Sequence, residues 1–428
     1  MENNKLAILG GEKSVKDSHP HWQWPQTSNE EINAIVKYLK TGKKNKFGYP
    51  SVVEEFEFEF AKYHNVKYAL TTNSGTSSLH AAFFALGVGE GDEVIAPTLT
   101  FHATASPLKQ LKALPILCDC EPETGNIDPK DIRKKINKKT KAIIITHLCG
   151  HPCEMDEIMD ISKRNNIPLI EDCSHAHGSL YKNKRVGTFG QIGCFSMNNQ
   201  KMLAAGESGV LITNEQEIFE KALLFSDFGP RIENEIKLES NIKYSETGLG
   251  NKYRINPISA VIASEKLKKL DNLIKQRNKK LDYLSNGLRY INGISPPITK
   301  KYATRGAFYG YRPFLNKDKL NNIDINSFIK ALNAEGMEIR QSGNQPLHLL
   351  PLFKEPVSVI NNFKIPDRYI GNKGKKYFYK KGDMPNSEYF YENTFSLPTF
   401  TFESDELLDN YIDAFKKVCN YFEKNKSL

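Results

Sequence analysis

The chain has 428 residues, of which 39% are apolar and 25% charged, and 59 Lys and Arg against 50 Asp and Glu give a formal net charge of +9. That length can bury a large core and hold two domains, and the balance belongs to a soluble globular protein, not to a disordered chain or a small binding module. No apolar run reaches membrane-spanning length, and MENNKLAILGGEKS lacks the parts of a secretion signal, so a cytoplasmic location with no membrane partner is expected.

In chain order, Ser28 with Glu31 and Ser51 with Glu54 read as capping boxes. Ile32, Ile35, Val36 and Leu39 follow the first at helical spacing, and Phe56, Phe60 and Tyr63 follow the second. Strands and helices then alternate: strand YALTT, helix SSLHAAFFAL, strand EVIAP, a helix through TASPLKQL, strand LPILCD, a helix near PKDIRKKI, strand KAIIITH, a helix from Met155 to Arg164, and strand IPLIED. GCFSM and VLITN read as further strands on either side of Lys201. This alternation predicts an α/β fold with a mostly parallel, buried central sheet, helices on both faces, and ligands beyond the strands' carboxyl ends.

Near Leu267 the texture changes to a long amphipathic helix at about 258–288, a Pro- and Gly-containing stretch, mixed elements and a C-terminal helix near 404–422. The chain therefore divides into an N-terminal segment with a large domain, 1–267, and a smaller α+β domain, 268–428. Residues 354–392 read as a long ordered excursion or lid.

Seven cysteines without framework spacing fit a reducing compartment. Cys149 and Cys153 stand near His147 and His151, but the spacing matches no common zinc pattern; buried thiols and turn residues are the better reading, and no metal is expected. Lysines are scattered, with short basic clusters at 43–46 and 373–376. This favours a solvated surface with some steering of phosphate-bearing ligands, and no nucleic-acid partner.

Four stretches at strand ends or helix starts carry chemistry. NSGTSS (73–78) offers hydroxyls and N–H groups of Ser74, Gly75, Thr76 and Ser77 to a phosphate, although such residues also make ordinary caps. EDCSHAHG (171–178) sets Asp172 at the end of a buried strand, where a carboxylate needs a partner: a helix cap, a lysine, or a buried cationic ring nitrogen. PTLTFHATA (97–105) puts Phe101 just past a strand, a place more often core than stacking platform. SMNNQKMLAAGESG (196–209) sets Lys201 among Met, Leu, Ala and Gly, with Ser196 five residues before it. Partial burial there would lower the amine's pKa and make it a nucleophile; a surface turn lysine is the alternative. Together, a Schiff-base lysine, a carboxylate for a protonated pyridine nitrogen, an aromatic ring and a phosphate cup are what pyridoxal 5'-phosphate requires of a protein.

The chain resembles the DegT/DnrJ/EryC1/StrS family of pyridoxal-phosphate-dependent sugar aminotransferases, which have the fold-type I, aspartate aminotransferase-like architecture. The likeness runs in order through FGYPSVVEEFEFEFAKYHNVKYALTTNSGTSS, GEGDEVIAPTLTFHATA, CEPETGNIDP, IEDCSHAHG, GCFSMNNQKMLAAGESGVLIT, GLGNKYRINPISA and SLPTF. It implies that Lys201 bonds to the cofactor and shuttles protons, that Asp172 keeps the pyridinium nitrogen protonated, and that His175 lies by the phenolic oxygen. Gly75, Thr76 and Ser196 are implied to bind the phosphate and Phe101 to stack on the ring, with His177 structural. Many relatives have Ser or Thr before the lysine and a further glycine after it, where this chain has Gln200 and Ser208. Lys252 stands where many relatives have an Asn that reaches the phosphate of the neighbouring subunit's cofactor, in a homodimer with active sites at the interface.

The implied reaction moves an amino group from glutamate or glutamine, through pyridoxamine phosphate, to a keto-sugar, usually nucleotide-linked. A sugar dehydratase or eliminase is an alternative, though the retained lysine argues against the type that carries His there. A cyclitol (inosose-type) or aminohydroxybenzoate enzyme is another, since LGGEKS, HLCGHPCEMD and LGNKYRINP look similar to that branch. A non-catalytic cofactor-binding regulator is the last, but roughly thirty residues before the first helix are too few for a DNA-binding helix-turn-helix.

Overall fold

The structure, a computed structural model, describes residues 5–43, 50–306, 308–343, 345–354 and 379–428, with the backbone of 357–358 and 363–364. The basic clusters, apart from Lys43, and most of the 354–392 excursion fall outside these residues.

EVIAP and LPILC are buried along their whole length, which a strand achieves only when both faces of its sheet are covered. Seven strands make that sheet: β1 (Tyr68–Thr72), β2 (Glu93–Pro97), β3 (Leu114–Cys118), β4 (Thr140–Thr146), β5 (Leu169–Asp172), β6 (Ile192–Ser196) and β7 (Gly209–Thr213). Their spatial order is β1-β7-β6-β5-β4-β2-β3. The pairs from β3 across to β6 are parallel, and β7 alone runs against its neighbours, with Gly209 opposite both Thr72 and Ser196. The carboxyl ends of β1, β5 and β6 therefore meet the start of β7 at one edge. Leu70, Val94, Ile144 and Leu211 fill one face of the sheet, and Ile95, Ile143, Ile145 and Leu169 the other. Each such side chain contributes about 1.5–3 kcal/mol by leaving water.

Helix α1 (Asn29–Thr41) begins as its sequence suggests, the Ser28 hydroxyl accepting from the Glu31 N–H at 3.4 Å. The Glu31 carboxylate, however, turns to a buried ion pair with Lys266 at 3.0 Å. The second capping box does not form: helix α2 (Ser51–His64) has Pro50 at its cap, and the Ser51 hydroxyl bonds the Lys43 carbonyl. Phe56 and Phe60 are fully buried, as their spacing predicts, whereas Ile32, Val36 and Leu39 of α1 are 47%, 42% and 63% exposed. Helix α3 (Gly75–Ala85) follows β1.

Helix α4 (Pro257–Leu288) runs unbroken through residue 267. Ala260 and Ala263 near its start pack with Phe56 and Phe195. Leu281, Leu284 and Leu288 near its end join a second core with Tyr311, Phe328, Phe395 and Phe415, the last from helix α5 (Asp405–Phe422). Among the described residues no helix is long and apolar enough to cross a membrane.

Candidate active site

At the sheet edge where β1, β5 and β6 end, a cavity of about 950 Å³ opens between the two cores. Its wall includes Ser74, Gly75, Thr76, Phe101, Asp172, His175, Ser196 and Lys201, bringing together eight of the nine residues singled out in the sequence. Lys252 is the ninth. It is exposed and lines a separate cleft of about 670 Å³ that shares Glu207 with the main cavity.

Asp172 is the last residue of β5 and is 4% exposed. One carboxylate oxygen accepts from the Thr104 hydroxyl at 2.7 Å and the other from the Ser174 N–H at 3.0 Å. Thr104 belongs to a buried hydroxyl cluster, 2.8 Å from Thr100 and 3.3 Å from Thr146. These bonds fix the carboxylate while leaving it a place on the cavity wall. Loss of the Thr104 hydroxyl removes a bond to a charged group, so Thr104→Val is expected to lower kcat/KM by about 10- to 100-fold, measured by steady-state kinetics.

Lys201 is 9% exposed, so the surface-turn reading fails. Its backbone is pinned by the Asn198 carbonyl at 2.8 Å and by the Trp24 indole N–H at 3.1 Å. Burial is the largest influence on its amine, which is lowered to about 8; Asp172 and Cys149 oppose that shift. The amine lies 3.7 Å from the centre of the Tyr309 ring. The same ring stacks on His175 at 4.1 Å between centroids, and its hydroxyl donates to Gln200 at 3.2 Å. Gln200, the departure beside the lysine, thus ties the lysine turn to Tyr309.

His175 is held well below the usual histidine range, first by burial and then by Lys201 and Arg312, so its ring is neutral at neutral pH. Its Nδ1 is buried without a hydrogen-bond partner among the described residues. His177 lies in the core against Phe195 and away from the cavity.

The start of α3 is shaped by capping and by a close approach. The Ser74 hydroxyl accepts from the Ser77 N–H at 3.1 Å, so it serves as the cap foreseen as the plain alternative. Gly75 and Thr76 supply first-turn N–H groups that no helical carbonyl can reach. A Cβ on Gly75 would come 2.7 Å from the Ser196 Cβ, so only glycine lets the helix start approach the end of β6.

The site fits pyridoxal phosphate on two observations. A neutral, buried imidazole nitrogen lacks a partner, and Phe101 stays 48% exposed on the wall, an aromatic face open to a ring. The possible zinc donors fit a metal less well. The His147 Nδ1 accepts from the Cys153 N–H and its Nε2 meets Glu171 at 3.0 Å, while the His151 Nε2 accepts from the Lys300 N–H. All seven cysteines are buried and unpaired.

Comparison with known proteins decides the family. Residues 25–372 match the profile of the DegT/DnrJ/EryC1/StrS aminotransferase family. The chain belongs to that family. It is a pyridoxal-phosphate-dependent aminotransferase with the α/β fold of its relatives. It is 40% identical over 310 residues to GDP-perosamine synthase of Escherichia coli O157:H7, covering 71% of this chain and 79% of that one. It is 30% identical over 429 residues to L-glutamine:scyllo-inosose aminotransferase of Streptomyces griseus, covering 99% and 97%. The solved aminotransferase from Psychrobacter cryohalolentis superposes with a TM-score of 0.82 at 25% identity, over 94% of this chain and all of that one.

Tyr309, Thr104 and Arg312 are parts of this DegT-family site that sequence reasoning missed. Thr104 sits inside the quoted PTLTFHATA stretch, and a buried strand-end carboxylate needing a partner was the available signal. Tyr309 and Arg312 lie far along the chain from Lys201, and nothing in the local pattern of AFYGYRPF points toward it.

Proposed function

We propose that this aminotransferase takes its amino group from glutamate or glutamine and delivers it to a keto-sugar, with nucleotide-linked sugars as the first acceptor class. The observation that carries this reading is the convergence of Lys201, Asp172 and His175 on one cavity of about 950 Å³, near the upper end of the range for small-molecule sites. The 40% identity to GDP-perosamine synthase supports the acceptor class.

When bound, pyridoxal phosphate supplies an electron-accepting ring that makes the α-hydrogen of an attached amine acidic. Lys201 holds the cofactor and moves the substrate's α-proton, with an amine near pH 8 poised between its base and acid forms. Asp172, fixed by Thr104 and Ser174, holds the proton on the ring nitrogen. When the cofactor is bound, His175 would lie by its phenolic oxygen and Phe101 would cover its ring. Gly75, Thr76 and Ser196 hold the phosphate, with Ser74 keeping the helix start in shape. Lys252 reaches the phosphate held by a second copy of the chain.

The reading includes a homodimer, and α1 offers a face for it in Ile32, Val36 and Leu39. The double variant Ile32→Asp/Leu39→Asp is expected to run as a monomer in light scattering where the parent runs as a dimer, because burying two such side chains contributes about 3–6 kcal/mol. An intact variant dimer would remove α1 from the interface. Two domains meeting near residue 267, with α4 shared, accord with the separate cores. Buried free thiols accord with the cytoplasm.

A cyclitol acceptor is the second reading, favoured by the match to scyllo-inosose aminotransferase over 99% of this chain. The test is to add glutamate or glutamine to the cofactor-loaded protein, follow the cofactor's visible band, and then offer nucleotide-linked keto-sugars and inososes. Loss of the band with a donor, and its return with a keto-sugar yielding an aminated mass, is expected. Return with inososes alone would establish the second reading, and no change with any amino acid would defeat both.

A further inference from the structure

The smaller domain puts on the cavity wall a cation that none of the roles above uses. Arg312 follows Tyr309 by three residues and is half-buried, and its Nε is buried with no hydrogen-bond partner among the described residues. No carboxylate among those residues pairs with its guanidinium. Gly343 closes on the group: a Cβ there would lie 2.6 Å from Nη2 and 3.3 Å from Cζ, so a side chain at this position would push the fork aside. The charge of Arg312 acts on His175 and Tyr309, the two rings stacked beside Lys201. Arg340, exposed on the same wall, also acts on Tyr309.

A half-buried guanidinium without a counter-charge is costly by itself, and its planar fork matches a carboxylate. Reaction geometry narrows the anion. An amino-acid donor must bring its nitrogen to the Lys201 position, and it carries a carboxylate on the same carbon and, in glutamate, another at the end of a short side chain. A nucleotide-linked acceptor brings a carbonyl carbon there instead, and its phosphates lie beyond a sugar ring. We propose that Arg312, with Arg340 beside it, is the site that recognises a carboxylate of the amino-acid donor. This rests on the donor half of the function proposed above.

The test uses cofactor-loaded protein and two variants, Arg312→Gln and Arg312→Lys. Glutarate, a dicarboxylate with no amine to react, is titrated by calorimetry, and KM is measured separately for glutamate and for the keto-sugar. With a hydrogen bond to a charged group lost, Arg312→Gln is expected to weaken glutarate binding and raise the glutamate KM about 10- to 100-fold. The acceptor KM should move less than about twofold, and Arg312→Lys, which keeps the charge without the fork, should lie between. Should Arg312→Gln fail to fold, the intermediate loss in Arg312→Lys carries the test. Unchanged glutarate affinity and glutamate KM in a folded variant would overturn the proposal, as would a change in the acceptor KM alone, which would assign the guanidinium to the acceptor's phosphate. A parent protein inert to every amino acid would defeat the proposed function, and glutarate binding lost on substitution would still support the carboxylate site.

Discussion

Replacing Lys201 by alanine is expected to lower turnover by at least about four orders of magnitude, because one amine serves both as the covalent tether and as the proton carrier. The surrounding fold should tolerate the change, since the loss removes a buried amine and leaves its backbone pinned by Asn198 and Trp24. Stability should carry a signature of its own. The amine titrates near 8 in the folded protein against 10.5 ordinarily, so between those values the unfolded chain binds more protons and cofactor-free protein gains stability as pH rises. Below about 8 the full cost of a charged buried amine is present, on the order of 3 kcal/mol, and Lys201→Ala is free of it. Urea unfolding of the cofactor-free proteins at pH 7 and pH 10 checks this: the parent should gain more between the two than the variant does. Equal gains would mean that the amine is solvated.

The second large effect is expected at Asp172. Asp172→Asn keeps the shape, and its amide oxygen can still accept from the Ser174 N–H while its NH2 donates to the Thr104 hydroxyl, but it removes the negative charge that would hold a proton on the ring nitrogen. Removing one partner of a buried ion pair costs about 3–5 kcal/mol, so kcat should fall by about two to four orders of magnitude. Cofactor content measured by absorbance after dialysis should fall as well. A variant with full cofactor content and a kcat within about tenfold of the parent would show that the ring nitrogen has no need of this charge.

The sheet and the strand-end stretches were legible because they are local. Apolar runs such as KAIIITH are long enough only for strands, and each is followed at once by residues that a sheet edge exposes to a ligand. The carboxylate of Asp172 could be flagged because its own strand buries it. What was not legible depends on tertiary placement. The surroundings of Lys201 include Tyr309, far along the chain, whose ring lies against both the amine and His175. Thr104 was in view but its target was not, because a hydroxyl cluster two strands deep leaves no periodic trace. The apolar face of α1 was foreseen, but not that it would lie outside the single chain's core. Ser51 looked like a cap and is a first-turn residue, because Pro50 takes the capping position and the serine hydroxyl finds Lys43.

Everything proposed for the mechanism depends on the cofactor being held by one amine. Borohydride reduction of the cofactor-loaded protein, followed by peptide mapping, asks this directly. The expected result is one reduced pyridoxyl adduct, on the peptide containing Lys201 and absent from Lys201→Ala. An adduct on any other lysine, or a parent protein that takes up no cofactor when it is supplied, would contradict the account.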